Sequence, residues 1–104
     1  MFSFISNLFG PKVDLNQLVA DGAVIVDVRT KGEYQQGHVK GAINIPLGNL
    51  PSQYQRLRKD KPVITCCASG MRSGQAKSFL KSQGYAEVHN GGGWMSLERK
   101  ISNR

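Results

Sequence analysis

Negative charge is scarce in this chain: 7 Asp and Glu stand against 14 Lys and Arg, a formal net charge of +7. Cysteines number only two, and they are neighbours, Cys66 and Cys67. Adjacent Cα atoms lie about 3.8 Å apart across a trans peptide, below the usual disulfide span, so a disulfide framework is excluded. The two histidines, His38 and His89, are far from the doublet and from each other, which disfavours a structural zinc site. Free thiols point to a reducing compartment, the cytoplasm. No apolar run approaches the length that would span a bilayer. The opening MFSFISNLFG lacks the charged start, continuous apolar run and small-residue cleavage site of a secretory signal. Its apolar positions, Met1, Phe2, Phe4, Ile5, Leu8 and Phe9, follow helical spacing. They predict a short amphipathic helix over residues 1–11, packed on its own domain and closed by Pro11. Residues 12–104 form the domain proper.

The 104 residues bound the answer to one domain with one core. Hydrophobic residues at 39% and charged residues at 20% mark an ordinary globular composition rather than a disordered one. The basic excess is dispersed, with one cluster at Arg56, Arg58, Lys59 and Lys61 interrupted by Asp60. That pattern reads as a solvated surface and not as a nucleic-acid site. A positive field of this kind steers small anions toward the molecule.

Short apolar runs alternate with helical patterns. Asp14 caps a helix over Leu15 to Ala20, ended by Gly22. Ala23 to Val28 is nearly continuous in apolar residues, the pattern of a parallel strand buried on both faces. Thr30 and Glu33 form a capping box for a helix ending near Gly37. Ala42 to Ile45 is a brief strand stopped by Pro46, and a helical segment follows over Pro51 to Leu57. Pro62 to Cys66 is the next strand. A loop from Cys67 to Arg72 leads into an amphipathic helix over Ser73 to Gln83, with Ala76, Phe79 and Leu80 inward and Gly84 at its end. Glu87 to His89 is a last strand, and Gly91 to Gly93 a flexible turn into a helix over Trp94 to Lys100. This order predicts an α/β domain with a parallel sheet covered on both faces. In such sheets ligands bind beyond the carboxyl ends of the strands, where Cys67 lies.

A strand that delivers a cysteine to a tight loop before a helix suits anion chemistry. Backbone N–H groups after Cys67 turn inward as a nest, and the helix N-terminus adds partial positive charge. Gly70 supplies a positive φ, Arg72 a fixed charge at the rim, and Ser73 a cap that braces the loop. These effects favour the thiolate and lower the Cys67 pKa. A persulfide, also an anion, suits the same nest. Cys66 completes the strand and packs in the sheet.

Four segments resemble the single-domain rhodanese family, thiol sulfurtransferases, over about residues 13–100. They are Val26-Asp27-Val28-Arg29-Thr30 through Glu33-Tyr34; Gly37 to Pro46 (GHVKGAINIP); Cys67 to Ser73 (CASGMRS, matching C-x-x-G-x-R-S); and Gly91-Gly92-Gly93-Trp94, whose spacing departs slightly from the family's closing region. The resemblance implies a five-stranded parallel sheet flanked by helices on both faces. It implies ping-pong transfer of a sulfane sulfur through a Cys67 persulfide. Donors are thiosulfate or a persulfide; acceptors are a thiol, a sulfur-carrier protein or cyanide. No metal or organic cofactor is implied. Cys67 is the nucleophile, and Ala68, Ser69, Gly70, Met71 and Arg72 cradle the substrate. Asp27 and Arg29 form a structural ion pair under the site, His38 is a hydrogen-bonded scaffold residue, and Ser73 is structural support. His89 reads as a surface or strand-end residue, and Trp94 as a core or pocket-wall residue. Ala68 and Ser69 carry no charge to hold a dianion, so both donor classes stand open.

Counted from Cys66, the stretch has the C-x5-R spacing of a thiol phosphatase or arsenate reductase. Gly70 is three residues after Cys67 but four after Cys66, which favours the first register. Two further readings are a non-catalytic binding module and a Cys66 that resolves oxidised Cys67.

Overall fold

The computed structural model describes residues 13–101. The expected helix over residues 1–11 lies outside them. The described elements are α1 (Leu15–Ala20), β1 (Val24–Asp27), α2 (Lys31–Gln35), β2 (Ile43–Asn44), α3 (Leu50–Gln53), β3 (Val63–Cys67), α4 (Met71–Ser82), β4 (Val88–Gly93) and α5 (Trp94–Ile101). Single 3-10 turns, Leu47–Asn49 and Tyr54–Arg56, flank α3.

The strands form one parallel sheet in the order β2-β1-β3-β4. Among the described residues it has four strands, not five. The four stretches between residues 23 and 93 that read as strands each contribute one, and the described residues hold no fifth. Asp27 ends β1 opposite Asn44 on one side and Cys66 on the other. The β3–β4 register shifts between Thr65 and Cys67, and Cys67 then faces Gly93.

Both faces of the sheet are buried. On one, Val26, Val63, Cys67 and Val88 pack with Ala76 and Leu80 of α4, Leu50 of α3 and Tyr85. On the other, Ile25, Ile64 and Cys66 pack with Leu97 and Ile101 of α5, joined by Leu15 and Leu18 of α1. Period-two alternation sends successive side chains to opposite faces, so a run with both faces covered is apolar throughout.

β3 runs through Cys67 rather than ending at Cys66, so the candidate nucleophile is the last residue of the strand and not the first of the loop. Two larger differences concern glycines. The Gly91–Gly93 run is not a turn: it completes β4. A Cβ on Gly91 would stand 2.8 Å from Ile64 Cγ2 and 2.9 Å from the Thr65 carbonyl oxygen. One on Gly93 would stand 2.9 Å from the Ala68 carbonyl oxygen. Glycine is there because the neighbouring strand and the Cys67 loop come too close for a side chain. The second difference is that α4 begins at Met71, two residues early, with Gly70 at its N-cap position (φ +106°).

Candidate active site

The start of α4 explains the cysteine loop. Gly70 has no side chain to accept the free N–H groups of the first turn. Helices ordinarily fill that need with Ser, Thr, Asp or Asn. Here the sulfur of Cys67 fills it. The Ser73 N–H reaches Sγ at 3.4 Å and the Gly70 N–H reaches it at 2.9 Å. Ser73 is therefore not the helix cap. It lies inside the first turn, fully buried, with its hydroxyl oxygen 3.4 Å from Sγ. The hydroxyl donates onward to Asn90 Oδ1 at 2.6 Å. Asn90 ties the arrangement to β4: its Oδ1 accepts from the Gly92 N–H at 2.9 Å, and its Nδ2 donates to the Gly70 carbonyl at 3.0 Å.

The Cys67 side chain is only 1% exposed, yet its thiol pKa lies below the ordinary value. Burial alone pushes it up. The Ser73 hydroxyl and the N–H groups of Ser73, Gly70 and Ser69 favour the anion and together prevail. Cys66, one residue earlier, has the reverse balance. It is wholly buried on the opposite face, and its pKa is pushed up to about 12 by burial and by the nearby Asp27 carboxylate. One strand thus carries neighbouring thiols shifted in opposite directions, Cys67 down and Cys66 up.

Ala68 and Ser69 are exposed, and the Met71 side chain is 76% exposed. In this part of the loop it is the backbone that faces the sulfur. Arg72 is not a free cation at the rim. Its Nη1 and Nη2 donate to Glu33 Oε1 and Oε2 at 2.8 and 3.0 Å. Glu33 is held in place by its capping box with Thr30, whose N–H and hydroxyl both donate to Oε1. Arg72 and then Thr30 lower the Glu33 pKa to about 2, so the pair is ionised at any physiological pH.

Beneath the loop, Arg29 Nε and Nη2 donate to Asp27 at 3.0 and 2.7 Å, and both residues are buried. Arg29 also donates to the Gly37 carbonyl at 2.7 Å and lies 4.8 Å above the Trp94 ring. Asn44 Nδ2 closes this floor by donating to the carbonyls of Asp27 and Arg29. His38 is exposed: it stacks on Tyr34 at 3.7 Å, with Nδ1 2.7 Å from the Tyr34 carbonyl oxygen. His89, in β4, lies 2.9 Å from Glu87.

Residues 12–100 match the rhodanese-like domain family. The chain belongs to that family. Thiosulfate sulfurtransferase PspE of Escherichia coli (strain K12) is 46% identical over 70 residues, which are 65% of this chain and 67% of PspE. YqhL of Bacillus subtilis (strain 168) is 41% identical over 68 residues, 65% of this chain and 54% of YqhL, so the match spans about half of that relative. The crystal structure of reduced Bacillus anthracis CoADR-RHD superposes with a TM-score of 0.74 at 33% identity, covering 97% of this chain and 18% of that one. The α/β fold, with its parallel sheet between helices, is the rhodanese fold. Its homologues include named sulfurtransferases, which supports a rhodanese-type transferase. No helix among the described residues is long and apolar enough to cross a membrane.

Within this rhodanese domain, sequence reasoning missed Asn90 and the partnership of Glu33 with Arg72. Asn90 belongs to no motif in the sequence. Glu33 already had a complete explanation as a capping residue, and its second partner is 39 positions away.

Proposed function

We propose that the protein is a sulfurtransferase that carries a sulfane sulfur on Cys67. The observation that carries this reading is the contrast between the two thiols. Cys67 accepts the N–H groups of Gly70, before α4, and Ser73, in its first turn, whereas Cys66 packs in the core with a raised pKa. The thiolate attacks the outer sulfur of the donor. In thiosulfate the donor's S–S bond breaks, sulfite leaves with its electron pair, and Cys67 becomes a persulfide. An acceptor thiolate then attacks the outer persulfide sulfur, takes it, and returns Cys67 as a thiolate. The backbone of Ala68, Ser69, Gly70, Met71 and Arg72 cradles the transferred sulfur. Asp27, Arg29, His38 and Ser73 act as support. The donor is thiosulfate or a persulfide, and the acceptor is a small thiol or the thiol of a sulfur-carrier protein. Two free thiols suit a reducing compartment such as the cytoplasm.

The test is intact mass after incubation with thiosulfate, for the wild type, Cys67→Ser and Cys66→Ser. A gain of one sulfur that Cys67→Ser abolishes and Cys66→Ser keeps is the expected result. A gain lost only in Cys66→Ser overturns the register. Aryl phosphate hydrolysis without sulfur uptake overturns the reaction class.

A further inference from the structure

A cleft of about 410 Å3 opens at the carboxyl ends of β1 and β2. Lys31, Tyr34, Gln35, Asn44, Asn49 and Arg56 line it. Two of these are cations and none is a carboxylate. Arg56 hydrogen-bonds the neutral Gln53 at 3.1 Å, and among the described residues neither Arg56 nor Lys31 forms an ion pair. Amide side chains fill out the lining, with donors and acceptors suited to peptide-like groups.

The cleft shares its supports with the cysteine loop. One short helix, α2, sends Glu33 to Arg72 of the loop and Lys31, Tyr34 and Gln35 to the cleft. The sheet fixes the separation. Asn44 pairs with Asp27, and Asp27 with Cys66. Two steps of strand spacing put the Asn44 and Cys66 backbones about 10 Å apart.

The second half of the proposed reaction needs a thiol acceptor, and the loop offers it little to hold. The N–H groups of Gly70 and Ser73 are engaged by Sγ, and Arg72 is engaged by Glu33. Affinity for an acceptor has to come from a neighbouring surface with unneutralised charge. We infer that the cleft binds the anionic end of the acceptor, an amide-bearing thiol that also carries a carboxylate. This rests on the sulfur-transfer reading, and its test separates the two.

S-methylglutathione carries carboxylates and amides but no thiol, so its binding is independent of sulfur transfer. Calorimetric titration of the full chain is expected to show binding that weakens about tenfold or more in Lys31→Ala/Arg56→Ala, because two charge-assisted contacts are removed. In turnover, the KM for glutathione rises in that variant, while cyanide turnover and thiosulfate loading are unchanged. Both side chains are exposed, so the variant keeps its fold. Equal affinity of both proteins for S-methylglutathione, or no binding to either, overturns the inference. Equal loss of cyanide and glutathione turnover overturns it as well. A wild type that binds S-methylglutathione through Lys31 and Arg56 but never loads sulfur supports the cleft and sinks the transferase reading.

Discussion

Replacing Ser73 by alanine raises the Cys67 pKa by about one pH unit, as the geometry of one proton shows. The Ser73 hydroxyl has a single hydrogen. While Cys67 is a thiol, that hydrogen goes to Asn90 Oδ1 at 2.6 Å, and the thiol is 3.4 Å from the hydroxyl oxygen, able to donate to it. When Cys67 ionises, the hydroxyl turns to the sulfur. Asn90 Oδ1 keeps its second donor, the Gly92 N–H at 2.9 Å. A hydrogen bond to a charged acceptor contributes about 1.5–3 kcal/mol, and the neutral bond given up costs about 0.5–1.5 kcal/mol. The difference is roughly 1–1.5 kcal/mol, and 1.36 kcal/mol corresponds to about one pH unit. The N–H donors of Gly70 and Ser73 remain in the variant, so the thiol still titrates below a buried thiol without partners. The assay is the rate of alkylation by iodoacetamide as a function of pH. The thiolate reacts, so the midpoint of the rise reports the pKa. Below the midpoint the variant reacts about tenfold more slowly at a given pH, and thiosulfate loading follows the same displaced profile. A midpoint that stays in place or moves down refutes the account of Ser73 as a switchable donor.

Glu33→Gln leaves Arg72 without its countercharge, so the KM for thiosulfate loading is expected to fall severalfold, while loading from an uncharged trisulfide is unaffected. Steady-state kinetics with the two donors check this, and a rise in the thiosulfate KM refutes it. Gly91→Ala forces a Cβ to within 2.8 Å of Ile64 Cγ2 and 2.9 Å of the Thr65 carbonyl oxygen. Overpacking of this kind costs about 1–3 kcal/mol, measured as a lower urea midpoint, and an unchanged midpoint refutes the close packing of β4 on β3.

The parts of the fold that were legible in the sequence are those in which a single local signal decides. Ile25-Val26 and Ile64 announce doubly buried strands because both faces of the sheet are covered. Thr30 and Glu33 announce α2 because a capping box uses only residues three apart. The loop was legible as a strand–cysteine–glycine–helix order. What stayed hidden involves atoms used out of turn. The start of α4 was misplaced because a sulfur three residues before Gly70 takes the cap, a role that sequence reasoning assigns to oxygen. The glycines of β4 resembled a turn, since glycine supplies no strand signal and its reason, the approach of Thr65 and Ala68, is a tertiary one. The ion pair of Arg72 stayed hidden because its partner Glu33 already had local work in the capping box.

The cysteine doublet also makes the chain its own stopwatch for structural opening. Cys66 and Cys67 are joined by one peptide bond but lie in cores on opposite sides of the sheet. A thiol reagent reaches Cys67 by way of the α4 loop, and reaches Cys66 only when the layer containing α5 lifts away. Timed labelling under native conditions therefore reads two clocks within one tryptic peptide: one for breathing of the loop, the other for the rarer excursions that expose the sheet's interior.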